Sequence, residues 1–238
     1  MCILGRMGEI YLIRHGQASF GSTNYDELSE LGVWQSRILA NHFVDVGFIP
    51  DAIYCGPMAR HRATADEFYR VCSERQIDLP ETEIMEEFRE YNAEAIIRAA
   101  LGADPSLMEH AHRIYDDPQS FRKLFGSAML KWVGGALDSQ GVESWESLKE
   151  RVGMAFETIR MRYDKGGTVV VFTSGGAIAA SLANVLGVSG EGAMRLNWQI
   201  VNTSVTRYVY DNKKIALAGF NSMEHLRLKR DPSLITLW

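Results

Sequence analysis

Glu9-Ile10-Tyr11-Leu12-Ile13-Arg14-His15-Gly16-Gln17-Ala18-Ser19 is a short apolar run that stops at a cationic residue, an imidazole and a glycine. Its apolar part predicts a buried strand whose carboxyl end delivers Arg14 and His15 into a loop. Gly16 has no Cβ, which lets backbone and ligand approach closely, and open α/β sheets bind ligands at the carboxyl ends of their strands. A neutral imidazole is a nucleophile near pH 7. The guanidinium beside it offers a planar fork of donors, so a phosphoryl group is the cargo the pair suits.

The 238 residues, 46% hydrophobic and 23% charged, suffice for one large α/β domain with a substantial core. Net charge is -5 and the pI about 5.7. That excludes a general basic field for nucleic acid or an acidic membrane surface, so any anion site is local. Cys2, Cys55 and Cys72 show neither disulfide-scaffold density nor zinc-like spacing, which fits a reducing cytoplasm. No apolar run approaches the ~18 residues of a membrane span, and Met1 to Gly8 reads as a leader to the strand.

Beyond the first loop, Ser29 is placed to cap a helix in which Leu31, Trp34, Ile38, Leu39 and Phe43 recur at helical spacing, predicting a core-facing stripe. Gly47 to Asp51 ends that helix, and Ala52-Ile53-Tyr54-Cys55 reads as the next buried strand. Strand, polar loop and helix together predict the first crossover of a parallel sheet. From Ala93 to Arg162 the chain reads as helical, with breaks at 102–105, 116–118 and 134–135. Thr168-Val169-Val170-Val171-Phe172 is the most strand-like run, and Thr173-Ser174-Gly175-Gly176 opens a helix after it. Val205 to Tyr210 and Ile215 to Phe220, joined by a tight polar turn, predict an antiparallel pair at one edge of a mixed sheet.

The Arg14-His15-Gly16 loop resembles the signature of the histidine phosphatase superfamily, also called the phosphoglycerate mutase-like fold, in which the strand-end histidine becomes phosphorylated. Asn24 to Gly32 is similar to that family's entry into its first helix. Gly56-Pro57-Met58-Ala59-Arg60-His61-Arg62-Ala63-Thr64-Ala65 is similar to its small-Pro-Leu-x-Arg-x-x-x-Thr-Ala motif. Glu143-Ser144-Trp145 resembles a helix start, and Asn221 to Leu226 a carboxyl-terminal signature. The resemblance runs from Ile10 to Leu226.

It implies a three-layer α/β/α sandwich with a mostly parallel mixed sheet, a single domain over 1–238 with a helical cap insertion at about 93–142. It also implies a metal-independent phosphatase that forms a phosphohistidine and requires no cofactor. His15 is then the nucleophile, and Arg14 and Arg60 the clamp, with Arg62 the alternative. Glu90 is the proton donor, with Glu87 chosen if the motif aligns on Met85 instead of Phe88. Gly16, Gln17, Ser174 and Gly175 are the expected substrate contacts.

One position departs from the pattern. The family reads Ser-His-Gly-Gly where this chain has Thr173-Ser174-Gly175-Gly176, so Ser174 stands in the place of a second catalytic histidine. A neutral hydrogen bond replacing a charged one predicts reduced activity, or a pseudophosphatase that only binds. His61 or one of the cap histidines is a candidate substitute. His110, His112, Arg113 and Arg122 are the polar residues of the cap that could reach the cleft, and His225 reads as structural or as a neighbour of the site. The expected partner is a small phosphorylated metabolite or a phosphoprotein, with a mutase less favoured than a phosphatase.

Overall fold

The computed structural model describes residues 7–19, 26–113, 117–137 and 141–237. Most of the predicted leader, the first part of the predicted helix entry (Asn24-Tyr25) and Asp116 lie outside the described residues.

Strand β1 (Gly8–Arg14) leads through α1 (Glu30–Asp45) to β2 (Ala52–Cys55), then through α2 (Ala59–Glu74) to β3 (Thr82–Ile84). Helices α3 (Ala93–Ala103), α4 (Met108–Ala111), α5 (Pro118–Val133) and α6 (Trp145–Arg162) precede β4 (Thr168–Thr173). Helices α7 (Gly175–Leu186) and α8 (Gly190–Asn197), strands β5 (Val205–Tyr210) and β6 (Ile215–Ser222), and the single turn α9 (Glu224–Arg227) complete the order. Gly8 already belongs to β1, against the sequence expectation, because it pairs with Tyr210 of β5, and a Cβ there would lie 2.1 Å from the Tyr210 ring.

The described strands form one six-stranded sheet in the order β3-β2-β4-β1-β5-β6. β3, β2, β4 and β1 run parallel, while β5 and β6 are antiparallel to their neighbours. Alternation along the strands divides the core. Ile10 and Leu12 of β1 with Val169 and Val171 of β4 face α6 and α7, whereas Ile13, Val170 and Phe172 pack with Leu39, Phe43 and Phe68 of α1 and α2 on the other face. The result is helices on both sides of a mostly parallel sheet.

The side chain of Ser29 caps α1 as expected, accepting a hydrogen bond from the Gly32 amide. Of its predicted stripe Ile38, Leu39 and Phe43 are buried, whereas Trp34 is 52% exposed. At the amino-terminal end the face turned inward carries Gly32, Gln35 and Ser36, because that end lies against the backbone of the first loop. A Cβ on Gly32 would meet the Gln17 carbonyl oxygen at 2.1 Å.

Candidate active site

Parallel pairing places four strand ends at one edge of the sheet. Arg14 of β1 is in register with Thr173 of β4, Cys55 of β2 with Phe172, and Ile84 of β3 with Cys55. The segments that follow those ends carry His15, Arg60, Glu90 and Ser174. β4 lies between β1 and β2, although it arrives more than a hundred residues later in the chain, so the loops containing His15 and Ser174 become neighbours.

The backbone of the first loop is held from two sides. The His15 amide donates to the Thr173 carbonyl at 2.9 Å. Asn202 Nδ2 donates to the His15 carbonyl at 3.1 Å. The Thr203 amide, in a left-handed turn with φ 59°, donates to the Arg14 carbonyl at 3.0 Å. Behind it, His225 Nε2 and Thr203 Oγ1 share a hydrogen bond of 3.0 Å, so His225 is a buried neighbour of the loop.

Two contacts define the His15 tautomer. Nδ1 lies 2.6 Å from the Gly16 carbonyl, to which it donates, and Arg60 Nε donates to Nε2 at 3.2 Å. The lone pair is therefore on Nε2. Burial, then the charges of Arg60 and Arg14 and the nearby His61, hold the His15 pKa well below 6.5, with the Gly16 carbonyl opposing them. The ring is thus a neutral base at neutral pH.

Arg60 is fixed on its outer side by Asp26. Asp26 Oδ1 accepts from Arg60 Nη1 at 2.7 Å, while Oδ2 accepts from the Ala59 amide at 2.9 Å at the start of α2. Arg14 Nη1 donates to the Ile200 carbonyl. Glu90 is seated by backbone donors, the Gly176 amide at 3.2 Å and the Tyr91 amide at 3.0 Å. Desolvation raises its pKa above the usual carboxylate value, against the pull of Arg60, these amides and Arg14. A neutral imidazole nucleophile and a carboxyl kept protonated to higher pH are the pairing that proton-assisted displacement requires.

Arg14, His15, Arg60, Glu90 and Gly175 line a cleft of about 870 Å³, which also carries Ile97, Phe121, Phe125, Val142 and Trp198. The other expected contacts sit elsewhere. Gly16 is packed against α1, where its Cβ would lie 2.3 Å from the Gly32 carbonyl oxygen, so close approach of two backbones explains this glycine. Gln17 Oε1 accepts from Ser29 Oγ at 2.9 Å. Ser174 is fully buried beneath the site. Among the described residues lining the cleft, Glu87, Arg62, His110, His112, Arg113 and Arg122 do not occur.

By sequence, His61 is one of several possible substitutes for the second catalytic histidine. In the fold it is fully buried, its Nε2 is 2.5 Å from Ser174 Oγ, and its ring centre is 5.7 Å from that of His15. Glycine at 56, where the motif allows any small residue, is the signal that could have singled it out. A Cβ at Gly56 would come within 2.4 Å of His61 Nδ1. Among the described residues no group of three or more His, Cys, Asp or Glu side chains is gathered as a metal site requires, and no helix is long and apolar enough to cross a membrane. Cys55 and Cys72 are free and buried.

The profile of the histidine phosphatase superfamily (branch 1) matches residues 10–96 and 93–223. No curated protein matches the sequence. Among solved structures, a phosphoglycerate mutase from Bacillus anthracis superposes with a TM-score of 0.65 at 18% identity, over 95% of this chain and 98% of that one. A phosphoserine phosphatase mutant from Entamoeba histolytica, in complex with phosphoserine, gives 0.63 at 20% identity over 92% and 99%. A mycobacterial glucosyl-3-phosphoglycerate phosphatase gives 0.62 at 21% identity over 92% and 100%. At these identities the likeness is one of fold.

Proposed function

The chain belongs to the histidine phosphatase superfamily, and from that premise we propose that it is a metal-independent phosphomonoesterase working through a phosphohistidine at His15 Nε2. The observation that carries this reading is the His15 tautomer. Its lone pair lies on the nitrogen facing Arg60, at a cleft that also holds Arg14 and Glu90.

In the proposed reaction the phosphoryl group of the substrate displaces Arg60 Nε from His15 Nε2 and takes its donors, with Arg14 on a second side. The Nε2 lone pair then forms the N–P bond while the ester P–O bond breaks, and Glu90 gives its proton to the departing alkoxide. Water next attacks the phosphohistidine, Glu90 takes back a proton from it, and inorganic phosphate leaves as Nε2 regains its lone pair. Two fixed guanidiniums supply the electrostatic stabilisation. The apolar residues of the cleft support a small phosphorylated metabolite whose alcohol part has apolar surface. A cytoplasmic setting and a cap function for the segment about 93–142 remain part of the proposal.

A second reading rests on Ser174. If the histidine that the resemblance calls for at this position is indispensable, the protein binds phosphorylated metabolites or phosphoproteins without turnover. Incubation with an aryl phosphate, with and without chelator, separates the two. The phosphatase reading expects chelator-resistant turnover that His15→Ala abolishes. Equal background rates for both proteins across a broad panel of phosphoesters would replace it with the binding reading.

A further inference from the structure

We propose that His61 is a positioning residue: by accepting a hydrogen bond from the Ser174 hydroxyl it turns the Ser174 oxygen toward Arg60 and holds that guanidinium in place to grip phosphate. The inference rests on the phosphoryl-binding reading of the cleft given above.

Three side chains from two strand-end segments form a chain of hydrogen bonds under the site. Arg60 Nη2 lies 3.5 Å from Ser174 Oγ and His61 Nε2 lies 2.5 Å from the same oxygen. A guanidinium can only donate, so Ser174 Oγ accepts from Arg60. The hydroxyl has one proton, and the neighbour able to take it is the Nε2 lone pair of His61. A neutral imidazole with its proton on Nδ1 satisfies both contacts. Burial first, then the charges of Arg60 and Arg62, depress the His61 pKa well below 6.5 and keep the ring neutral, although the Gly56 backbone opposes them.

The rest of the surroundings suits the same role. His61 and Ser174 are both fully buried, and the hydrogen bond between them offsets the cost of placing those two polar atoms there, while His61 Nδ1 has no hydrogen-bond partner among the described residues. Gly56 leaves the volume that the ring occupies, since a Cβ there would be 2.4 Å from Nδ1 and 2.7 Å from the Phe88 carbonyl oxygen. Arg60 is thus held at three of its nitrogens, by Asp26 at Nη1, His15 at Nε and Ser174 at Nη2. When phosphate displaces Nε from His15, the other two holds keep the guanidinium facing the cleft. Without an acceptor at 61, the Ser174 proton is free to turn toward Arg60, and two donors then oppose one another.

The test compares His61→Leu, which removes the acceptor, with His61→Gln, whose amide oxygen restores one at similar reach, and with Ser174→Ala, alone and combined with His61→Leu. Binding of inorganic phosphate is measured by calorimetry, which needs no turnover, alongside KM and kcat for an aryl phosphate and thermal unfolding of each variant. The expected result for His61→Leu is phosphate affinity about tenfold weaker, with most of the loss in KM. His61→Gln should recover the larger part, and His61→Leu should add little once Ser174 is alanine.

Unchanged phosphate affinity in folded His61→Leu would overturn the proposal, as would a full additional loss in the double variant. Equal losses in the leucine and glutamine variants would count against it as well. If His61→Leu does not fold, the comparison of His61→Gln with Ser174→Ala decides, because the proposal requires the glutamine variant to bind phosphate more tightly than the alanine variant. Loss of His15-dependent turnover with these affinity differences intact would sink the phosphatase reading alone.

Discussion

Arg60 Nε points its proton at His15 Nε2 across 3.2 Å, so the base and the cation proposed to act on phosphorus engage each other in the free protein. The contact lowers the His15 pKa, as Arg60 is the largest cause after burial. It also means that substrate must exchange one partner of Arg60 for another.

Arg60→Ala therefore alters affinity and pH dependence together. Charged hydrogen bonds contribute roughly 1.5 to 3 kcal/mol each, so losing one or two lowers kcat/KM by about 10²-fold. The acid limb of the kcat/KM profile, where His15 becomes protonated, lies below 6.5 in the wild type and moves to higher pH in the variant. A pH-rate profile checks this, and an acid limb that stays put would count against His15 as the titrating group.

Glu90→Gln tests the proton donor through the leaving group. An alkyl phosphate needs its oxygen protonated on departure, so the variant should lose about 10²- to 10⁴-fold in kcat on such esters. An aryl phosphate with an acidic phenol should lose far less. Because the pKa of Glu90 is raised, activity on alkyl esters falls as pH rises through that value, and the alkaline limb should be absent from the variant. Equal losses on both ester classes would show that Glu90 does not protonate the leaving group.

Gly176→Ala attacks the same carboxylate from behind. The new Cβ would sit 2.0 Å from Glu90 Oε1 and 2.4 Å from the Tyr91 ring, so both must move. We expect stability to drop by about 1 to 3 kcal/mol, with a rate loss on alkyl esters approaching that of Glu90→Gln. Denaturant titration and steady-state kinetics measure the two effects separately.

Acid sensitivity follows from the buried imidazoles. His225, facing His42 and Glu224, is held at about 3 in the folded protein against 6.5 when free, chiefly by burial. Between those values the unfolded chain binds the proton and the folded one does not, so stability is lost as pH falls from 6.5 toward 3. The slope is up to roughly 1.4 kcal/mol per pH unit for each such group. His15 and His61 act in the same direction. Glu90 acts oppositely above 4.5. His225→Gln should flatten Tm against pH over this interval, and an unchanged slope would place the acid sensitivity elsewhere.

Much of this arrangement was legible from local pattern. The apolar runs at Ile10–Ile13, Ala52–Cys55 and Val169–Phe172 are strands; Arg14 closes the first of them, and the loops that follow carry His15 and Ser174. The family motif picks Arg60 and helix register turns Arg62 to another side, and Arg60 is 5% exposed while Arg62 is outward. The choice of Glu90 over Glu87 rests on Phe88 as the apolar wall residue and on Tyr91-Asn92 continuing the loop; Phe88 is fully buried and Glu90 lines the cleft. Trp34 misled because spacing reports a repeating apolar stripe but not which neighbour a helix will meet.

By itself the sequence determined the longer strands, most of the helices and the residue types offered at their ends, but not the short β3 or α8, since periodicity, caps and glycine breaks act over a few neighbouring residues. Tertiary structure alone decided which of those groups meet. β4 inserts between β1 and β2, bringing Ser174 under Arg60 and His61, and missing Cβ atoms at Gly16, Gly32 and Gly56 let segments distant in the chain close to contact. Such contacts depend on strand order and excluded volume, which no local pattern of residues contains.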